Sequence, residues 1–118
     1  MRHGRGSLIT KDGAYYVGYW MFDRQNGEGM LIDTDGSVYI GQWLKGAQTG
    51  SGKISMQSGE LYTGEFSTGL YHGQGTQTIS DGTKYEGTWQ DGVKSGNGRL
   101  DWPDDSSYEG EFQRNKMQ

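Results

Sequence analysis

Any chemistry in this chain has to start from two histidines, His3 and His72, fifteen carboxylates and the serines. The histidines stand three 23-residue intervals apart. With two strands per interval and about 4.8 Å per strand, that is roughly 29 Å, too far to share a metal or form a dyad. Turn or surface roles are expected for both. No serine occupies a Gly-x-Ser-x-Gly elbow, and neither histidine falls in a triad register. Asp33-Thr34-Asp35-Gly36 has the look of a calcium loop, but Leu31 would fill its first ligand position and Gln42 its closing glutamate. Gly-x-Gly pairs echo phosphate loops, yet a phosphate cradle needs a strand, a glycine turn and then a helix N-terminus. Here each pair is expected to start a strand. The residues therefore point to a chain without catalysis, metal or cofactor.

The elements that must carry these residues are unusual. Leu, Ile, Val and Phe make up 17 of 118 residues, about 14%, below the roughly 20% under which disorder becomes the default. Mean hydropathy is -0.90. Against this stand 22 glycines and 15 aromatics (8 Tyr, 4 Trp, 3 Phe), and disordered chains are poor in aromatics. Something other than an aliphatic core must order the chain. The length allows one domain. The absence of cysteine excludes disulfides and thiolate metal sites. The longest mostly apolar run, Tyr15 to Phe22, is too short to span a bilayer, and no apolar leader follows Met1. A soluble, cytoplasmic protein is expected. A net charge of -4 argues against nucleic acid as a partner.

A period of 23 residues organises the whole sequence. Tyr16, Tyr39, Tyr62, Tyr85 and Tyr108 recur at that interval, each followed two positions later by a glycine and two further on by Trp20, Trp43, Phe66, Trp89 or Phe112. Next come Gly46, Gly69 and Gly92, replaced by Asp23 and Asn115 in the outer copies. A Gly-x-Gly pair follows (Gly27/Gly29 and its equivalents), and each cycle closes on Asp-Gly, Ser58-Gly59 or Asp104-Asp105. All 22 glycines fall in these columns. The chain divides into a partial repeat (1–15), repeats 16–38, 39–61, 62–84 and 85–107, and a second partial repeat (108–118).

Each column implies a structural role. Tyr-x-Gly-x-Trp/Phe alternates with period two, so both rings and the glycine share one strand face. A glycine weakens a strand unless something lies close to it; the expected guest is an aromatic ring laid across the bare backbone. Gly-x-Gly followed by Leu8, Leu31, Ile54 or Leu100 (Gln77 is the exception) reads as a second strand. Gly46, Gly69 and Gly92 suit positive φ, and Asp-Gly favours tight hairpin reversals. The expected fold is all-β: an elongated, single-layer, twisted antiparallel meander of stacked hairpins. Its aromatic row comprises Tyr16, Trp20, Tyr39, Trp43, Tyr62, Phe66, Tyr85, Trp89, Tyr108 and Phe112.

The unit Tyr85-Glu86-Gly87-Thr88-Trp89-Gln90-Asp91-Gly92, followed by Gly96-Asn97-Gly98, resembles the MORN repeat (membrane occupation and recognition nexus), as does Tyr108-Glu109-Gly110-Glu111-Phe112. Asp23, Asn115 and Asp105 depart from that pattern, which suggests altered turns. The resemblance implies a stacked-hairpin sheet and a place in cytoskeletal, ciliary-axonemal or membrane-junction assemblies. It also implies two alternatives: phospholipid binding, or a regulatory module attached to a lipid kinase or a methyltransferase.

Positions flanking the strand glycines vary in a directed way, from Val17/Tyr19 and Ile40/Gln42 through Thr63/Glu65 to Glu86/Thr88 and Glu109/Glu111. Residues 1–59 carry six Lys/Arg and five Asp/Glu, whereas residues 60–118 carry five and ten. With Met21 and Phe22, the residues Val17, Tyr19, Ile40 and Gln42 form an apolar patch that either meets a protein partner or packs on the rest of a longer chain. A repeat sheet offers an extended surface, so a protein-binding scaffold is the leading expectation. Anionic membranes attract clusters of four to eight Lys/Arg, and Arg2, Arg5, Lys11 and Arg24 are the best available. The sparsely charged edge Ser7-Leu8-Ile9-Thr10 further suggests self-association through sheet edges.

If the 23-residue unit is the folding unit, inserting one whole unit between repeats preserves every neighbouring interface, whereas inserting 11 residues does not. Circular dichroism and solubility should remain native-like for the first insertion and collapse for the second.

Overall fold

The computed structural model describes residues 4–22 and 24–117; His3, Arg2 and Asp23 lie outside the described residues. Among those described, the chain forms β1 (Gly4–Ile9), β2 (Tyr15–Met21), β3 (Arg24–Ile32), β4 (Val38–Leu44), β5 (Ala47–Ser55), β6 (Leu61–Ser67), β7 (Leu70–Thr78), β8 (Lys84–Gln90), β9 (Val93–Asp101), β10 (Ser107–Gln113) and β11 (Lys116–Met117). The strands make one sheet in sequential order, each antiparallel to the next. The molecule measures 51 × 24 × 18 Å. Ten steps of about 4.8 Å reproduce its length, so the long axis is the direction in which strands stack.

Even-numbered strands carry the Tyr-x-Gly-x-Trp/Phe motif, and β1, β3, β5, β7 and β9 carry the Gly-x-Gly pair. In β3, β5, β7 and β9 that pair does not start its strand. Gly50/Gly52 lies inside β5 and Gly73/Gly75 inside β7, because the nine-residue β3, β5, β7 and β9 are longer than the seven-residue even strands before them and absorb the difference in a bulge. Gly41 pairs with Gly52 and Trp43 with Gln48, which leaves Gln42 outside the register pairs of β4 and β5. The same shift recurs in β2–β3, β6–β7 and β8–β9.

The two kinds of reversal also differ from the expectation. The tighter one is the two-residue turn at Lys45-Gly46, Thr68-Gly69 and Asp91-Gly92, where both residues have positive φ (50° and 85° at Lys45-Gly46). That combination matches the twist of the flanking strands. Asp-Gly sits instead in a wider loop: the Gly36 N–H donates to Asp33 O (3.1 Å) and Asp33 N–H to Ser37 O (2.9 Å). The turns at Asp105 and Asn115 are not altered. Asp105 and Asn115 both take φ 71°, and Asp105 N–H still donates to Trp102 O (3.1 Å). Asparagine and aspartate tolerate the left-handed region better than other non-glycine residues, which explains why the fold accepts them there.

The turns also tie successive repeats together. The amides of Gly46, Gly69, Gly92 and Asn115 donate to carbonyls of the preceding repeat, at Gln25, Gln48, Tyr71 and Lys94 (2.9–3.0 Å).

Burial is confined to one face. Tyr16, Tyr39, Tyr62 and Tyr85 are at most 1% exposed. Each phenol lies along its own strand, over the glycine two residues on, and donates to the carbonyl at the bulge, as in Tyr39 Oη to Gln42 O (2.8 Å). Equivalent bonds of 2.8–3.0 Å recur at Tyr16, Tyr62, Tyr85 and Tyr108. The rings meet edge to face in an unbroken series: Trp20, Tyr16, Trp43, Tyr39, Phe66, Tyr62, Trp89, Tyr85, Phe112, Tyr108. Its centroid separations are 4.9–5.6 Å, the favoured aromatic arrangement. Leu8, Leu31, Ile54 and Leu100 pack against it.

This ring placement forbids a side chain at the glycines beneath each phenol, such as Gly18, Gly29, Gly41 and Gly52. A Cβ on Gly52 would stand 2.5 Å from Tyr39 Oη and 2.7–2.8 Å from the ring, whereas one on Gly6 meets nothing closer than 3.4 Å. Overpacking of this kind costs about 1–3 kcal/mol or more, so thermal melting of Gly52→Ala should fall by on the order of 10 °C and that of Gly6→Ala by much less. Equal losses would mean that the phenol does not fix the spacing.

Burial pushes the hydroxyls of Tyr39 and Tyr62 up to about 12 from an ordinary 10, and raises those of Tyr16 and Tyr85 as well. The unfolded chain therefore loses these protons first as pH rises. The protonated phenols contribute stability that is fully present below pH 10 and lost between about pH 10 and 12. Denaturant midpoints should hold up to pH 10 and drop above it, with phenolate absorbance rising in step with unfolding.

Candidate interaction surfaces

With the rings committed to one face, the side chains between them form the other. Cross-strand pairing lines these up into a ladder running the length of the molecule. Val17 pairs with Met30, Met30 with Ile40, and Ile40 with Lys53. Lys53 leads to Thr63, then Thr76, then Glu86, Arg99 and Glu109. The gradient seen along the sequence is thus a gradient in space, apolar at one end and charged at the other.

Of the residues expected to bind a partner, Val17 and Ile40 flank Met30 on this ladder. Ile40 is 53% exposed, Tyr19 46%, Met21 48% and Phe22 66%. Val17, Tyr19, Met30 and Ile40, with Arg5 and Glu28, line a shallow depression of about 460 Å³. Met30 was missed because the sequence shows alternation clearly only on the aromatic strands; strand register alone reveals that it lies between Val17 and Ile40. Gln42 serves the bulge beside it, where its Oε1 accepts the Ser51 N–H (2.9 Å), as Glu65 Oε2 does for Gln74 N–H (2.9 Å). It frames the patch rather than extending it. Met21 and Phe22 stand at the β2 turn, beyond the depression.

The residues first considered for chemistry are dispersed. His72 is exposed, with Nδ1 4.0 Å from Asp91 Oδ1, and His3 lies outside the described residues. Asp33 and Asp35 cap their own turn: Asp33 Oδ1 accepts from Thr34 N–H (2.8 Å), and Asp35 Oδ1 from the Ser37 N–H (2.9 Å) and hydroxyl (2.6 Å). The Ser37 hydroxyl bond holds the Asp35 carboxyl below its ordinary value. Asp81 and Asp104 cap the equivalent turns. Among the described residues no group of three or more His, Cys, Asp or Glu could hold a metal ion. None of the described residues forms a helix long and apolar enough to cross a membrane.

No curated protein matches the chain. The family model of the MORN repeat does, in six stretches: residues 1–15, 16–38, 39–60, 62–84, 85–107 and 108–118. MORN repeats serve in general as modules that bind proteins or lipids. Every position but Leu61 falls within a match, and the bulge, the ring series and the outer ladder repeat on the same 23-residue period, so the chain belongs to the MORN-repeat family.

Proposed function

We propose that this chain is a non-catalytic protein-interaction scaffold whose partner docks on the apolar end of the outer ladder. The supporting observation is the contiguity of Val17, Met30 and Ile40, flanked by exposed Tyr19, on a face that the sheet's own packing leaves uncovered. Exposed aromatic and aliphatic groups clustered about a depression, with polar groups such as Arg5 and Glu28 at its rim, have the anatomy of an interface core. The setting we favour is the cytoplasm, within a cytoskeletal, axonemal or membrane-junction assembly, where a 51 Å rod can hold components side by side. Phospholipid binding is the second reading. Arg5 pairs across the strands with Tyr19, which sets a basic group beside an aromatic one as membrane interfaces favour.

One comparison separates the readings. Tyr19→Asp together with Ile40→Asp removes the patch, whereas Glu86→Gln with Glu109→Gln changes only the charged end. In affinity capture from cell extract with quantitative read-out, the patch variant should lose its specific partner by roughly 30-fold, the equivalent of one hot spot of about 2 kcal/mol, while the other retains it. Flotation with phosphatidylserine vesicles should leave wild type in the pellet fraction; co-flotation abolished by Arg5→Gln would favour lipid instead. Equal capture by both variants would overturn the proposed surface.

A further inference from the structure

Three positions on the aromatic face break the 23-residue pattern together. Where other repeats have Ala14, Ser37, Thr83 or Ser106, repeat 39–61 carries Glu60. Where others have Leu8, Leu31, Ile54 or Leu100, repeat 62–84 carries Gln77. The position held elsewhere by Gln25, Gln48 or Lys94 is Tyr71. These departures converge. Glu60 Oε2 accepts from the Tyr71 hydroxyl (2.7 Å) and from Gln77 Nε2 (2.9 Å). Tyr71 stacks flat on Tyr62 (3.8 Å, 2°) and meets Trp89 edge to face (5.1 Å). Together they border a pocket of about 430 Å³, with Ile54, Met56 and Trp89 among its walls, a volume within the range of small-ligand sites.

Among the described residues no basic group lies within 4.0 Å of the Glu60 carboxylate. Two neutral donors fix its orientation without neutralising it, and Lys94, which lines the same pocket, acts on it electrostatically from beyond ion-pair distance. The aromatic wall already attracts a cation: Lys94 Nζ sits 5.4 Å from the Trp89 ring centroid and 5.5 Å from that of Tyr85. A positive group on a flexible stem finds there both an oriented carboxylate and ring faces.

We propose that the Glu60–Tyr71–Gln77 pocket receives a basic side chain, lysine or arginine, from a protein segment lying along the aromatic face. The guest's charged head pairs with Glu60, and its aliphatic stem lies against Ile54 and Met56. Lys94 shares the pocket and competes with the guest by charge. The source of the guest rests on reading the chain as a protein-binding module. The pocket itself is distinct from the Val17–Ile40 patch on the opposite face.

Blocked tripeptides test this directly. Acetyl-Gly-Arg-Gly-amide and its Lys, Gln and Glu counterparts are titrated at millimolar concentration into the full chain, with the Trp89 indole resonance and backbone amide shifts followed by NMR. The Arg and Lys peptides should shift Trp89 saturably and the Gln and Glu peptides should not. Glu60→Gln should weaken binding about tenfold or more, as expected for loss of a charge-assisted pair. Tyr71→Phe, which keeps the ring and frees the carboxylate, should weaken it less. Lys94→Met should strengthen it, because the competing cation is gone; this gain is a positive result that misfolding cannot imitate. The Tyr19→Asp/Ile40→Asp variant should bind the peptides as wild type does, so failure of the pocket and failure of the outer patch are separable. Absence of saturable shifts, equal shifts from the Gln peptide, or binding of the Glu peptide that Lys94→Met abolishes would overturn the proposal.

Discussion

Everything in this fold depends on a tyrosine ring lying flat over two glycines. In each repeat the phenol covers the glycine of its own strand and the second glycine of the next, and its hydroxyl satisfies a carbonyl at the bulge. That one arrangement sets three things at once. It brings two strands together with no side chains between them, keeps a buried hydroxyl and a bulged backbone hydrogen-bonded, and aims the ring edge at the Trp or Phe of the adjoining repeat. A chain with so few aliphatic residues folds because it replaces bulk with ring contacts at fixed spacing.

The same arrangement frees the other face. Because the aromatic series supplies the burial, residues between the motif positions are released from the core and can follow function. The outer ladder changes character from Val17–Met30–Ile40 to Glu86–Arg99–Glu109 without any change in strand register. On the aromatic face, by contrast, a departure must be compensated. Glu60, Tyr71 and Gln77 change together and bond to one another, since an isolated carboxylate or amide there would lack a partner.

Much of this architecture was legible in the sequence because glycine and aromatic residues report backbone and packing constraints at single positions. The order of strands, the shared face of Tyr39 and Trp43, and the positive φ of Gly46 all follow from the 23-residue spacing. What could not be read was register. A bulge shifts pairing by two residues between Gly41 and Trp43, and no residue type announces it beyond a glycine that already had another explanation. For that reason the start of β7 at Leu70, the place of Met30 in the outer patch and the local bond made by Gln42 came only from the structure. The inner pocket left a fainter signal: Gln77 stood out as the exception in an apolar column, but its link to Glu60 and Tyr71 needs three dimensions. Asp105 and Asn115 looked like altered turns because glycine was missing, although both residues can adopt the φ that glycine supplies.

The strand order has a mechanical meaning as well. Strands run across the 51 Å rod, so the hydrogen bonds that join them point along it. Tension applied between the two ends pulls those bonds open one strand at a time instead of shearing many at once. Such a sheet gives way at low force by peeling, hairpin after hairpin, each releasing a 23-residue unit of roughly 80 Å when extended. A load carried between its two ends would lengthen the rod in steps. Refolding can begin at whichever hairpins remain, because each repeat needs only its immediate neighbours as a template.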